Sequence, residues 1–226
     1  MTVENEKATK RLIRETATRL FREKSFEAVT LADICQASGV NKHTFYYYFK
    51  SKDELLQYYY SFPWNLSAAE VTNILTSDNY VDQLWIIIKK FTDYIQKAGV
   101  AIMRQILIKN LTEDVGTFHM KSEICEIFKL MISILQKGQQ AGQFRNQTDA
   151  RVLIILLQQV LFSVGLTWTV FKGDFDFSVR AHFLIEHLLD VDERYRSTTE
   201  EDFRKFTEIF EKSMGMTDEN AEKPSV

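Results

Sequence analysis

The sequence predicts an all-helical protein, with a small N-terminal head of three short helices and a larger helical body. The 226 residues include only two prolines and eight glycines, and 45% of them are hydrophobic, which is enough to fill a core. Apolar residues recur at the three- and four-residue spacing of helices, and no run alternates as a strand would. Residues typical of helix caps stand at the expected boundaries.

The first helix is predicted from its apolar spacing. Ile13, Ala17, Leu20 and Phe21 recur at i, i+4, i+7 and i+8, which predicts a helix over about residues 5–24. Its other face carries basic residues: Lys10, Arg11, Arg14 and Arg22.

The second helix is bounded by two cap signals. Thr30 with Asp33 three residues later is a good N-terminal cap, and Leu31, Ile34 and Cys35 would face inward. Gly39 ends the helix because a sharp turn between helices requires a residue that tolerates positive φ.

The third helix begins after Asn41, in the stretch NKHTFYYYFKSK. Five consecutive aromatic residues, 45–49, cannot all be buried on a helix that turns about 100° per residue. Phe45, Phe49 and, partly, Tyr48 are expected to face the core. Tyr46, Tyr47 and His43 are then expected to point outward.

This spacing of helix, three-residue turn and helix is that of a helix-turn-helix, whose second helix enters the major groove of DNA. Tyrosine hydroxyls bind phosphates, and Lys42, Lys50 and Lys52 would neutralise backbone charge. The alternative is a tyrosine-rich helix buried against the rest of the protein, which leaves the flanking lysines unexplained.

The distribution of charge favours the same interpretation. The net charge is −3, but residues 1–52 hold ten basic and six acidic residues, a net +4, which leaves −7 for the remainder. We therefore expect only the head to contact a polyanion.

The segment over residues 13–56 resembles the DNA-binding region of TetR/AcrR transcriptional regulators. The resemblance lies in the successive motifs LF-x-x-K, F-E-A-x-T and GV-x-K-x-T-x-Y-x-YF-x-SK-x-x-L. It implies a homodimer with a DNA-binding head over 1–51 and an effector-binding and dimerisation body over 52–214. The tail over 215–226 is expected to be disordered because it is polar.

The resemblance also implies roles for individual residues. Those that would meet base edges are Lys42, His43 and Tyr46. Those that would mostly meet phosphates are Thr30, Thr44, Tyr47, Tyr48 and Lys52. The sequence departs from the family pattern at Ser25, where glycine is common, so the turn after the first helix is expected to be either slightly strained or differently shaped. It also departs at His43, which replaces a small residue and should change the bases that are read.

The body is predicted to be a succession of helices. The fourth helix would start at Lys52 after a capping box, Ser51-x-x-Glu54, and break near Pro63, and another box, Ser67-x-x-Glu70, would start the next helix. The further helices are predicted at about residues 81–97, 100–111, 120–141, 149–171, 177–190 and 199–214. In the last of these, Phe203, Phe206, Ile209 and Phe210 would form one stripe.

Dimerisation and effector binding are assigned to the body by the resemblance. Helices 149–171 and 177–190 would form a four-helix interface with their symmetry mates, through small and apolar residues such as Val160, Ser163, Val164 and Leu184. An apolar or aromatic effector would meet some of the following residues, each of which is also plausible as ordinary core: Trp85, Phe91, Tyr94, Met103, Ile106, Phe128 and Trp168.

Other functions lack support in the sequence. The first twelve residues carry charges where a secretory signal would need an apolar core, so we expect a cytoplasmic protein. The apolar stretch 152–166 is interrupted by Gln158 and Gln159, so a buried or interface helix is expected rather than a membrane span. Cys35 and Cys125 are isolated. We expect no cofactor, no metal and no enzymatic activity, because nucleophile and nucleotide motifs are absent. His182, Glu186 and Asp190 share a helix face and could bind a divalent metal. Because they lack a paired-histidine motif, a solvated or salt-bridged surface is favoured over a metal site.

The sequence therefore predicts an effector-responsive regulator, a repressor, that binds a near-palindromic DNA operator as a homodimer. The alternative is a protein of the same fold that regulates through a protein partner, as a co-activator does.

Overall fold

The computed structural model describes residues 3–56, 65–113 and 122–213, and it is all-helical as predicted. The head contains α1 (Val3–Lys24), α2 (Leu31–Ser38) and α3 (Lys42–Tyr48). The body contains α4 (Ala68–Thr76), α5 (Tyr80–Ala98), α6 (Val100–Thr112), α7 (Ser122–Gln140), α8 (Ala150–Val170), α9 (Phe177–Leu188) and α10 (Glu200–Ser213).

The caps that the sequence predicts define the ends of the head helices. Thr30 and Asp33 form a complete capping box at the start of α2, and Gly39 ends that helix with φ of 68°. The side chain of Asn41 accepts a hydrogen bond from the backbone N–H of Thr44 at 2.7 Å at the start of α3. Local sequence chemistry thus determines the turn that orients α3.

The core of the head includes residues from the body. Phe21, Ile34 and Phe45 are buried where α1, α2 and α3 meet. Leu55 and Leu56, together with Ala98, Ile102 and Ile106 of α5 and α6, belong to the same cluster. The packing of the head therefore extends beyond the division at residues 51 and 52, which itself stays a prediction.

The body packs around α5, which contacts α4, α6, α7 and α9, while α8 contacts α6, α7 and α9. One apolar cluster lies between α5, α7, α8 and α9, and includes Ile87, Leu135 and Leu153. A second cluster lies between α5, α6, α8 and α9, and includes Ile95, Met103 and Trp168. We call the second one the α6–α8 cluster.

The long apolar helix α8 has one buried and one exposed face. Leu153 and Leu157 are at most 1% exposed, whereas Ile155 is 56% and Val170 66% exposed. Within the described residues α8 is the one helix long and apolar enough to cross a membrane, a test that core helices of soluble proteins also pass. It packs against three other helices of the body.

The turn between α7 and α8 is fixed by close packing. Phe144 is fully buried and lies against Gly138 of α7, where a Cβ atom would come within 2.3 Å of the ring. The side chain of Gln143 accepts a hydrogen bond from the N–H of Tyr80 and donates one to the carbonyl of Asp78, both at 2.7 Å.

The helix ends in the body lie within a few residues of those predicted, and the Ser67–Glu70 capping box is present. Residues 54–56 are helical, and the N–H of Glu54 donates to the hydroxyl of Ser51 at 3.2 Å. The predicted break near Pro63 and the predicted tail lie outside the described residues, as do the side chains of the predicted α10 stripe.

Candidate nucleic-acid interface

Helix α3 is anchored by its inward aromatic residues and presents its other residues to solvent. Phe45 is 0% and Phe49 5% exposed, as the periodicity predicts. The rings of these two residues are 5.7 Å apart, which seats α3 on the head core. The orientation of its outer face is therefore determined by packing.

The outer face of α3 combines aromatic, imidazole and cationic groups. Tyr46 is 56% and Tyr47 66% exposed, and Lys42 and His43 are exposed beside them. A contiguous exposed patch that contains large aromatic side chains can mark an interaction site. These groups match the chemistry of groove edges and phosphates.

Thr30 lies exposed at the start of α2. Its hydroxyl donates to a carboxylate oxygen of Asp33 at 2.6 Å, and this hydrogen bond, with that from the Thr30 N–H, lowers the pKa of Asp33. Thr44, also predicted to meet phosphate, is half-buried in the first turn of α3.

Lys52 is engaged within the protein. Its ammonium donates to the carbonyls of Phe26 at 2.6 Å and Val29 at 2.9 Å, and it lies 4.3 Å from the centroid of the Phe26 ring. The resemblance implies a phosphate contact for this lysine, whereas in this structure it holds together the turn between α1 and α2.

Tyr47 and Tyr48 differ in their hydrogen bonding. The hydroxyl of Tyr47 donates to the carboxylate of Glu6 on α1, and this bond and the negative charge of Glu6 raise the pKa of Tyr47. The hydroxyl of Tyr48 is buried and has no hydrogen-bond partner in the described part of the chain. The partly inward position predicted for Tyr48 is thus confirmed.

The first turns of α1 lie beside α3. The ammonium of Lys10 is 5.5 Å from the centroid of the Phe49 ring, at the C-terminal end of α3. Because Glu6 contacts Tyr47, one face of α1 borders the outer surface of α3. Sequence reasoning placed Lys10 on a basic face but did not identify Glu6, whose partner is 41 residues away.

The turn after α1 is strained as predicted. Ser25 has φ of 75°, in the left-handed region that disfavours residues with a Cβ atom. Its N–H still donates to the carbonyl of Phe21 at 3.1 Å, which closes the end of α1.

The head is joined to the body at the corner between α5 and α6. The Nε of Arg22 donates to the carbonyl of Ala98 at 3.1 Å, and the side chain of Gln105 donates to Glu27. Gly99 has φ of 88°, and a Cβ atom there would lie 3.2 Å from the Nε of Arg22. Neither contact was predicted, because each joins residues more than 70 positions apart.

The predicted effector residues do not form one site. Phe91, Tyr94, Met103 and Trp168 lie together in or against the α6–α8 cluster. Ile106 instead belongs to the head core, and Trp85 and Phe128 pack against the other body cluster.

A small cavity lies away from most of these residues. It has a volume of about 10 Å³, about that of one water molecule, and its lining includes Trp85, Phe144, His182 and Glu186. The ring of Trp85 stacks on that of His182 with centroids 3.7 Å apart. The cavity as it stands is too small for an effector.

Of the three residues predicted to share a helix face, Glu186 is buried beside His182, whereas Asp190 is exposed and lies beyond the end of α9. Glu186 is 1% exposed, and its carboxylate accepts hydrogen bonds from Ser197 and Thr198 and lies 3.1 Å from His182. Burial raises the pKa of Glu186, but these hydrogen bonds outweigh it and lower the pKa to about 2. The described residues contain no group suited to a metal ion.

Two of the residues predicted for dimerisation face their own subunit. Val164 is 2% exposed and belongs to the α6–α8 cluster, and Leu184 is partly buried against it. The prediction for Val164 was wrong because α8 is apolar on both faces, so that its composition does not show which face is buried. Ser163 is exposed and Val160 is half-buried.

Residues 13–59 match the family model described as bacterial regulatory proteins, tetR family. The search of curated proteins found no match. Three solved structures with the same fold illustrate the structural comparison. A TetR transcription regulator from Haloarcula marismortui aligns with a TM-score of 0.59 and 15% identity, over 81% of this chain and 97% of its own.

The second is a protein from Saccharomonospora viridis in complex with choline, with a TM-score of 0.57 and 18% identity, over 81% of this chain and 95% of its own. The third, the fatty acid degradation regulator FadR from Bacillus halodurans, has a TM-score of 0.53 and 18% identity, over 80% of this chain and 94% of its own.

The head therefore has a helix-turn-helix arrangement and matches the N-terminal domain of the TetR family over residues 13–59. The whole chain has the all-helical fold of the solved TetR-family structures.

Proposed function

We propose that this protein is an effector-responsive transcriptional repressor that binds a near-palindromic DNA operator as a homodimer in the cytoplasm. The observation that carries the proposal is the exposed face of α3, with Lys42, His43, Tyr46 and Tyr47, on a head that matches the TetR model. Buried Phe45 holds this face rigidly outward, as a helix that enters the major groove requires.

Within the interface we assign Lys42, His43 and Tyr46 to base edges. Thr30, Thr44, Tyr47 and Tyr48 are assigned to phosphates, which fix the position of the head but carry no sequence information. The buried hydroxyl of Tyr48 has an unused hydrogen-bonding capacity that a phosphate oxygen would satisfy after a small rotation of the side chain.

Dimerisation follows from the energetics of one small head. A single head contacts few phosphates, while two heads on one body double the charge contacts and fix the spacing of the half-sites. The exposed face of α8 supports such a dimer, because Val152, Ile155, Leu166 and Val170 are each at least 44% exposed and share one helix face.

We assign effector binding to the α6–α8 cluster, with Phe91, Tyr94, Met103 and Trp168, and expect a small apolar or aromatic molecule. The choline complex of the Saccharomonospora viridis protein supports small-molecule binding within this fold. The cluster shares α5 and α6 with the corner that contacts Arg22. An effector that favours a different position of this corner would change the spacing of the heads through its differential affinity.

The test is selection of duplexes from a randomised library, followed by titration of the selected and a random duplex at several salt concentrations. His43→Ala and Tyr46→Ala are expected to weaken binding to the selected duplex about 10-fold or more and to relax its base preference. Lys50→Ala is expected to weaken binding to both duplexes and to reduce the salt dependence.

Lys137→Ala replaces an exposed lysine of α7 and is the control. It should change neither the affinity for the two duplexes nor the salt dependence of binding. Failure of the dimer to bind any duplex at low ionic strength would exclude this function, and would favour regulation through a protein partner.

A further inference from the structure

The carboxylate of Glu6 stands where it opposes DNA binding. Glu6 lies on the first turns of α1, is half-buried, and accepts a hydrogen bond from the hydroxyl of Tyr47 on α3. Tyr47 is itself 66% exposed on the face assigned to DNA. A negative charge is therefore in direct contact with a group that would donate to a phosphate.

The Tyr47 hydroxyl cannot donate its one proton fully to both the Glu6 carboxylate and a phosphate. A phenol has one O–H donor. In the free protein that donor is used by Glu6, so a phosphate at this position must displace the carboxylate. The displaced carboxylate remains close to the phosphate and repels it.

Among the residues that the structure describes, no cation forms an ion pair with Glu6. Lys10, one turn further along α1, has its ammonium over the ring of Phe49 rather than in an ion pair with Glu6. Two ion pairs further along α1 join Arg11 with Glu15 and Arg19 with Glu23. In the described structure the partner of the Glu6 carboxylate is the Tyr47 hydroxyl.

We propose that Glu6 is an affinity-limiting residue of the DNA-binding surface, which holds the Tyr47 hydroxyl in the free protein and repels the phosphate that replaces it. This rests on the proposed function. The consequence is that binding becomes weaker and depends more on the correct base contacts, because the phosphate contribution common to all sequences is reduced.

The decisive variant is Glu6→Gln, which keeps the size of the side chain and removes its charge. We expect it to bind a random duplex about three- to tenfold more tightly than the wild type at low salt, with a salt dependence steeper by up to about one unit of slope. Glu23→Gln, the same charge change at the other end of α1, is the matched control. An equal gain from both variants, or no gain from Glu6→Gln, overturns the proposal.

Tyr47→Phe tests the hydroxyl in a double-mutant cycle with Glu6→Gln. In the Glu6→Gln background a phosphate competes with a neutral acceptor for the hydroxyl and is not repelled by a carboxylate, so removal of the hydroxyl should weaken DNA binding more than in the wild type. Equal losses in the two backgrounds would show that Glu6 and Tyr47 do not act together.

A measurement without DNA separates this inference from the proposed function. The titration of the Tyr47 phenol, followed by NMR of its ring carbons, should move to lower pH in Glu6→Gln, because the charged acceptor that raises the pKa of Tyr47 is replaced by a neutral one. If the titration of Tyr47 is unchanged, the contact between Glu6 and Tyr47 is contradicted. If the titration changes but no variant binds DNA, only the proposed function is contradicted.

Discussion

At the scale of single residues, the head combines a strained position with a clamp beside it. Ser25 turns the chain after α1 with positive φ, and Lys52 ties the carbonyls of the residues that follow. Both residues act on the turn that positions α2, and hence α3, relative to α1. Substitutions at either site should change the free energy of unfolding more than they change base recognition.

Ser25→Gly is expected to stabilise the protein. The left-handed conformation costs a residue with a Cβ atom about 1–2 kcal/mol, of which the greater freedom of glycine in the unfolded chain offsets about half. The net gain should be roughly 0.5–1 kcal/mol, measured by urea denaturation. Ser25→Ala is the control, because it removes the hydroxyl and keeps the strain. If alanine stabilises as much as glycine, backbone strain is not the cause.

Lys52→Ala should lower the free energy of unfolding by about 1–2 kcal/mol, because two backbone carbonyls lose a charged donor. Its effect on the salt dependence of DNA binding should be smaller than that of Lys50→Ala, since the Lys50 side chain is exposed beside α3. Denaturation and salt titration of the two variants provide the comparison. If the Lys52→Ala protein is as stable as the wild type and its DNA binding depends less on salt, Lys52 contacts a phosphate, as the resemblance implies.

At the scale of helices and turns, the junction of α7 with α8 requires a residue without a side chain. Gly138→Ala would place a Cβ atom 2.3 Å from the buried ring of Phe144. We expect a loss of about 1–3 kcal/mol in stability, despite the better helix propensity of alanine. Gly165→Ala is the matched control within a helix: the nearest atom, at 2.9 Å, is the flexible end of Met103. Thermal denaturation of both variants provides the comparison, and Gly165→Ala should change the stability very little.

Glu186 attaches the segment before α10 to α9 and should make stability depend on acid pH. The folded-state pKa is lowered to about 2, so the contribution is fully present above the ordinary pKa of glutamate, about 4.3. It is lost as the pH falls from there towards 2, and amounts to on the order of 2–3 kcal/mol.

The difference in stability between wild type and Glu186→Gln should therefore shrink over this interval in urea denaturation at stepped pH. Glu126→Gln, which removes an exposed carboxylate of α7 away from Glu186, is the control and should change the free energy of unfolding by less than about 1 kcal/mol.

At the scale of the whole molecule, the exposed face of α8 predicts the oligomeric state. Ile155→Glu combined with Leu166→Glu places two charges on this face and should convert the dimer to a monomer in light scattering, with DNA affinity reduced at least 10-fold. Leu75→Glu is the control, since Leu75 is 77% exposed on α4, outside this face. A wild-type protein that is monomeric at micromolar concentration would contradict the proposed dimer.

The fold was predictable from sequence where local chemistry determines it. The caps at Thr30 and Asn41 and the inward side of Phe45 follow from residues within one or two helical turns. The strain at Ser25 followed from a departure in an otherwise matching motif.

The assignments that depend on tertiary packing were not predictable. Ile106 looks from sequence like any buried residue of an apolar helix, and only the packing of α6 against the head assigns it to the head core. The acceptor role of Glu6 and the contact of Arg22 with Ala98 likewise depend on residues distant in sequence, for which no periodic pattern exists.

The sharing of Ile102 and Ile106 between head and body limits how modular this regulator is. An excised N-terminal fragment would expose the apolar surface that α6 covers. A chimera that joins this head to a foreign body would need a helix of matching shape in the same place. Functional recombinants between relatives should therefore take α1 and α6 from the same parent, even when this places the crossover away from the end of the helix-turn-helix motif.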